Sequence, residues 1–238
     1  MKYIIAFSAL LLSSFSVSAQ QGLFKKATSL LSKSSSGGNL SSDEIVSGLK
    51  EALSLGAQKS TDKLSATDGF FKDAAVKILL PKQVQDIESK MRMLGMGKLV
   101  DNAELSMNRA AEDASKSAAP IFLSAIKQMS VTDALNILRG TDTAATAYLR
   151  KTTTPELTSS FKPVIEESLK KTDANKYWKD VFTAYNRFSS KPVDTDINSY
   201  VTQKALDGIF YYVAAEEINI RQNPAGRVTD ILKKVFAK

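Results

Sequence analysis

The chain has 238 residues, 32 Lys and Arg against 25 Asp and Glu, a formal charge of +7, and neither histidine nor cysteine. Without those two side chains it cannot build a Ser-His-Asp triad, a Cys-His dyad or an ordinary zinc site, and no disulfide can staple it. Its length predicts one domain held by packing alone.

Residues 1–19 read as a secretory signal of a bacterial chain. Lys2 gives a positive start, Ile4 to Leu12 is an apolar run, and Val17-Ser18-Ala19 supplies small residues for cleavage. That run is shorter than the roughly 20 apolar residues a membrane span needs. No later stretch reaches roughly 20 residues without a charge, so no transmembrane segment is expected. The cleavage site offers no thiol for acylation. The expected location is periplasmic or secreted. Residues 20–41 read as a flexible tail: Leu23, Phe24, Leu30 and Leu31 allow a short amphipathic start, and Ser34-Ser35-Ser36-Gly37-Gly38 dissolves it.

From residue 42 to 238 the dominant period is helical. Ser42 before Asp43 and Glu44, with Ile45, Leu49 and Leu53 four apart, predicts a capped amphipathic helix. Thr61 to Pro81 is less regular. Asp68-Gly69 marks a turn, and Val76-Lys77-Ile78-Leu79-Leu80 is strand-like, predicting a short β-hairpin or an extended segment near residues 70–80. Pro81 opens a helix ended by Gly95 and Gly97. Lys98 to Ser117 carries Leu99, Ala103, Met107, Ala110 and Ala114 on one stripe. Pro120 starts the next helix, through Ile121, Phe122, Ala125 and Met129. Ser130-Val131-Thr132-Asp133 is a capping-box pattern, with Gly140 as its helix stop. Asp142 or Thr143 begins a helix to about Thr152, Thr154-Pro155 starts another, and Pro163 kinks or splits it. Asp173 caps a helix through Trp178, Phe182 and Tyr185. Residues 196–221 are apolar around nearly the whole circumference, which marks a central core helix. Asn223-Pro224 opens a last amphipathic helix. The expected fold is all-α, a single bundle of about nine or ten helices.

With imidazole and thiol excluded, no residue stands out as catalytic and no cofactor or metal is expected. Acidic side chains on apolar helices are the remaining chemical candidates. Glu217 and Arg221 are four apart and Lys204 and Asp207 three apart, spacings that suit ion pairs as well as a site. Glu216 lies beside Glu217. Asn108 and Glu112 share a helix face, with Arg109 beside them. Thr143 sits where a helix start could offer free N–H groups to an anion, or could simply be a cap.

The stretches LSSDEIVSGLKEAL (40–53), LGMGKLVDNAELSMNRAAEDA (94–114), PIFLSAIKQMSVTDALNILRGTDTAATAYL (120–149) and YVTQKALDGIFYYVAAEEINIRQNPAGRVTDILKKVF (200–236) resemble the bacterial exported family known as domain of unknown function 4197. The resemblance covers nearly all of residues 40–238. It implies an exported, helical envelope protein and carries no catalytic residue or cofactor with it. The polar positions it picks out include Asn108, Arg109, Glu112, Thr143, Lys204, Asp207, Glu216, Glu217, Arg221 and Arg227, which are the candidate ligand-binding residues.

The leading expectation is a non-catalytic envelope protein that binds an amphipathic or anionic partner, such as an anionic lipid or a cell-wall glycan, and not nucleic acid. One alternative is a carboxylate-dependent cell-wall glycan hydrolase using two of Glu112, Asp207, Glu216 and Glu217. Another is a structural or partner-docking module.

Overall fold

A computed structural model describes residues 41–82, 88–89, 92–93, 95, 97–172, 178–179, 182–183, 186, 192, 196–223, 233 and 235. The signal segment, most of the tail, most of the helix expected after Pro81, Asp173, Tyr185 and most of the helix expected after Asn223, Arg227 included, lie outside the described residues. Six helices follow in order: α1 (Ser42–Ser65), α2 (Gly97–Ser115), α3 (Ala118–Gln128), α4 (Val131–Arg139), α5 (Ala144–Lys170) and α6 (Ile197–Gln222). Among the described residues there is no strand, and no helix is long and apolar enough to cross a membrane.

Helix α1 starts one residue earlier than expected. Ser41, not Ser42, is its cap: its hydroxyl accepts from the Glu44 N–H, and the Glu44 carboxylate accepts from the Ser41 N–H at 2.9 Å. The helix also runs on to Ser65, through the stretch expected to be irregular, because Ala57 and Leu64 continue its buried stripe. Helix α4 follows its pattern closely, with Ser130 and Asp133 forming the capping box and Gly140 the stop.

Among the described residues six helices form, so the expected count of nine or ten is not supported. The clearest reason is α5, one continuous helix where two or three were expected, with Pro155 and Pro163 inside it. Each proline removes one backbone bond, but both are exposed, so the carbonyl left behind can meet water. The opposite side carries Ala145, Leu149, Thr153, Leu157, Phe161, Ile165 and Leu169, buried at a strict four-residue spacing. Four-residue steps slant around the cylinder, so this stripe meets α6, α2, α3 and α4. Its packing outweighs two exposed breakers.

Helix α6 is the central element, packed on α5, α1 and α2. Val201, Ala205, Leu206, Ile209, Phe210 and Val213 are all buried on it, and Phe210 meets Phe122 of α3 edge-on at 5.7 Å. Asp196 caps it by accepting from the Asn198 and Ser199 N–H groups.

The hairpin expected near residues 70–80 does not form. Residues 66–80 are a chain of turns (Gly69 N–H to Ala66 O, Lys72 N–H to Asp68 O, Lys77 N–H to Asp73 O) that enters the core. Phe70 is fully buried and lies against Gly208 of α6, where an added Cβ would stand 2.5 Å from its Cε1. The turn into this segment puts Asp68 at φ 69°. It also needs Gly69, whose Cβ would meet the Lys63 carbonyl at 2.3 Å. Backbone groups that a partner strand would have taken are taken instead by side chains of α2.

Candidate functional site

Those side chains, Asn108 and Glu112, are two of the candidate ligand-binding residues. Asn108 is fully buried. Its amide N–H donates to the Ile78 carbonyl and its oxygen accepts from the Ile78 N–H, both at 2.8 Å, while the amide N–H also reaches Glu104 O at 2.7 Å. One turn on, Glu112 Oε1 accepts from the Phe70 N–H at 3.1 Å and the Phe71 N–H at 3.2 Å. Its other oxygen takes Arg109 Nη1 at 2.6 Å, and Arg109 Nη2 reaches Asp68 at 2.6 Å. Asn108, Arg109 and Glu112 therefore form one group, turned inward onto the 66–80 segment. The Lys72 ammonium, and after it the Arg109 guanidinium, hold the half-buried Asp68 carboxyl below its usual range.

A second group joins three helices. Glu217 is buried. Its carboxylate accepts from the Ala145 N–H (2.9 Å), the Thr146 N–H (2.8 Å) and the Thr146 hydroxyl (2.8 Å), the first N–H groups of α5. Arg221 binds the same carboxylate at 2.9 Å and donates to Ile137 O at 2.8 Å, at the end of α4. The helix start that could have bound an external anion is thus filled by an anion of the protein's own. Thr143 stands just ahead of it, exposed and without a side-chain capping bond.

The remaining candidates are dispersed. Asp207 pairs with Arg150 at 3.5 Å and accepts from Gln203, and Arg150 also stacks on Phe210. Glu216 faces Lys59 of α1 at 3.7 Å. Lys204 turns from Asp207 to the ring of Tyr200, 5.9 Å from its centroid. Among the described residues no set of acidic side chains is arranged to hold a metal ion.

Lys204 leads to an opening lined by lysines. Lys77, Leu79, Leu80, Pro81, Lys82, Tyr200 and Lys204 line a depression of about 450 Å³ that opens to solvent. Lys77 is shared with Glu104 at 3.4 Å; Lys82 and Lys204 have no carboxylate partner among the described residues. The floor is rigid. Tyr200 donates its hydroxyl to the Leu79 carbonyl at 2.7 Å, and its ring stacks on Trp178, which stacks on Phe182 at 4.2 Å. Burial pushes the Tyr200 hydroxyl up to about 12, with the Glu104 charge adding to it. The sequence reading found Lys204 here and missed Lys77, Lys82 and Tyr200. The signal available was the strand-like run from Val76 to Leu80, interrupted by Lys77 and closed by Lys82.

A second cluster was not anticipated. Tyr212 donates to Asp73 and accepts from Lys63 at 2.6 Å, and Lys63 also reaches Asp73 at 2.9 Å. Tyr212 and Lys63 tie α6 and α1 to the middle of the 66–80 segment.

The family model described as "Protein of unknown function (DUF4197)" matches residues 39–237, and the chain belongs to that family. Neither a curated protein nor a solved structure matches it.

Proposed function

We propose that this member of the DUF4197 family is a non-catalytic binding protein of the cell envelope, exported by its leader to the periplasm or beyond. In this reading it takes an anionic, amphipathic ligand in the groove formed by Lys77, Lys82 and Lys204. The observation that carries the proposal is that three lysines, one of them (Lys77) shared with Glu104, line an opening walled by Leu79, Leu80, Pro81 and Tyr200. Lysines serve as point charges for phosphate-like groups, and the apolar wall suits a hydrocarbon portion. An anionic lipid fits that lining better than an uncharged wall glycan.

The hydrolase alternative needs two acids on one open cleft, one of them with its proton retained by burial. Glu112 and Glu217 are each bound to an arginine and to backbone N–H groups, Asp207 to Arg150, and Glu216 faces Lys59. None of the four lines the lysine groove, so no observation favours that reading.

Titration with dodecyl phosphate, followed by the fluorescence of Trp178, tests the proposal. Saturable binding that weakens in Lys82→Gln/Lys204→Gln is the expected result. No binding, or binding indifferent to the double substitution, removes the groove as the ligand site.

A further inference from the structure

The groove is too open to enclose the ligand it would recognise. Binding pockets for small amphiphiles cover most of the ligand's surface. Among the described residues seven line a depression of about 450 Å³ that opens to solvent, and a hydrocarbon chain bound there would keep its open side in water. A chain already dissolved in a bilayer avoids that cost.

The rim has the corresponding form. Along the extended stretch Val76 and Ile78 point into the core, at 8% and 1% exposure, whereas Leu79 is 47% exposed. Leu80 and Pro81 continue from it, Lys82 follows, and Lys77 and Lys204 share the same opening. An outward leucine ringed by lysines is the arrangement by which a peripheral protein sets an apolar tip at the acyl boundary and its ammonium groups at the phosphates. The rim is also held from behind, by Asn108 on Ile78 and by Tyr200 on Leu79 O, so little ordering is left to do on docking. We propose that this rim is a peripheral docking surface for an anionic phospholipid bilayer, with phosphates between Lys82 and Lys204 and Leu79 entering the interface. The inference rests on the ligand class assigned to the groove above.

Vesicle sedimentation tests it, with the full chain and its variants compared so that any contribution of residues 1–40 is common to all. Vesicles of phosphatidylglycerol with phosphatidylethanolamine should carry the protein down at low salt, and phosphatidylcholine vesicles should not. Lys82→Gln/Lys204→Gln should weaken binding by about 10- to 30-fold, Leu79→Ser by about 3- to 10-fold, and salt should reverse it. These three side chains are on the surface, and circular dichroism checks that the variants fold. In parallel, dihexanoyl-phosphatidylglycerol below its micelle concentration is titrated against Trp178 fluorescence. Binding of that soluble lipid without vesicle binding overturns the bilayer proposal and leaves the ligand reading intact. Vesicle binding undiminished in the double variant overturns it too, because the surface then lies elsewhere. Failure with both probes removes the docking surface and the ligand reading together.

Discussion

Asn108 and Ile78 hold each other as two paired strand residues would: one side-chain amide donates to the carbonyl and accepts from the N–H of the same residue, both at 2.8 Å. A helix side chain thereby stands in for a missing strand.

Replacing Asn108 by leucine leaves both Ile78 groups without partners in a buried place. The expected loss of unfolding free energy is about 2–4 kcal/mol. Asn108→Asp should be no milder, since a carboxylate would face the Ile78 and Glu104 carbonyls. Urea denaturation measures both; a loss under half a kcal/mol for leucine would show that the pairing is not needed.

Glu217 and Arg221 act as a unit across α4, α5 and α6. Glu217→Ala should cost about 3–5 kcal/mol, because it takes the paired carboxylate from a nearly buried guanidinium and uncaps α5. The double variant Glu217→Ala/Arg221→Ala should cost much less than the sum of the singles. Strict additivity in a double-mutant cycle would contradict the contact.

Gly208→Ala places a methyl group against the ring of Phe70. At that distance the ring or the helix must shift, and a destabilisation of about 1–3 kcal/mol is expected. Adding Phe70→Leu should return part of it. A thermally neutral Gly208→Ala would mean that the 66–80 segment sits more loosely than described.

Pro155→Ala should raise stability by about 1–2 kcal/mol, since the helix already passes through this exposed position and alanine restores the missing bond. A lower melting temperature would indicate that the proline is doing something other than interrupting α5.

The cluster Lys63–Asp73–Tyr212 gives stability a pH signature. Partial burial pushes the Asp73 carboxyl up, but its bonds to Tyr212 and Lys63 outweigh this and hold it below its usual range. A depressed carboxyl stabilises the fold above its unfolded pKa, about 3.9, and that contribution is lost as pH falls through the lower folded value. Lys63 is held above its usual range, first by its bond to Tyr212, and burial raises Tyr212. Both of these contributions hold below about pH 10 and fade above it. The stability gap between the parent and Asp73→Asn should therefore be constant from about pH 5 to 9 and shrink below pH 4. A gap unchanged at pH 2 would rule out the ionised pair as its source.

Much of the fold is legible in the sequence because its signals are local. Ser130 and Asp133 announce α4 within four residues, and the apolar circumference of residues 196–221 identifies the central helix, which runs from Ile197 to Gln222. Where the deciding contact is distant, local signals mislead. Pro155 looks like a break because its penalty is local, whereas the buried row from Leu149 to Leu169 that overrides it depends on four neighbouring helices. Val76 to Leu80 looks like a strand because it is extended and apolar, but its partner is an amide 30 residues away. The polar positions Asn108, Glu112 and Glu217 stand out in the sequence, but that each also binds backbone groups of a distant segment emerges only with the fold. The groove was hardest to foresee, since Lys77 and Lys82 come from one segment and Tyr200 and Lys204 from a helix far along the chain.

The anchoring of residues 66–80 also sets a timescale. Segments without a helical or sheet ladder ordinarily trade their amide hydrogens with water quickly. Here the N–H groups of Phe70, Phe71 and Ile78 are fastened to α2 and can be freed only when the 66–80 segment and that helix separate. These three amides should retain their protons about as long as the middle of α6, so that by isotope exchange a stretch of turns would be counted among the last parts of the molecule to open.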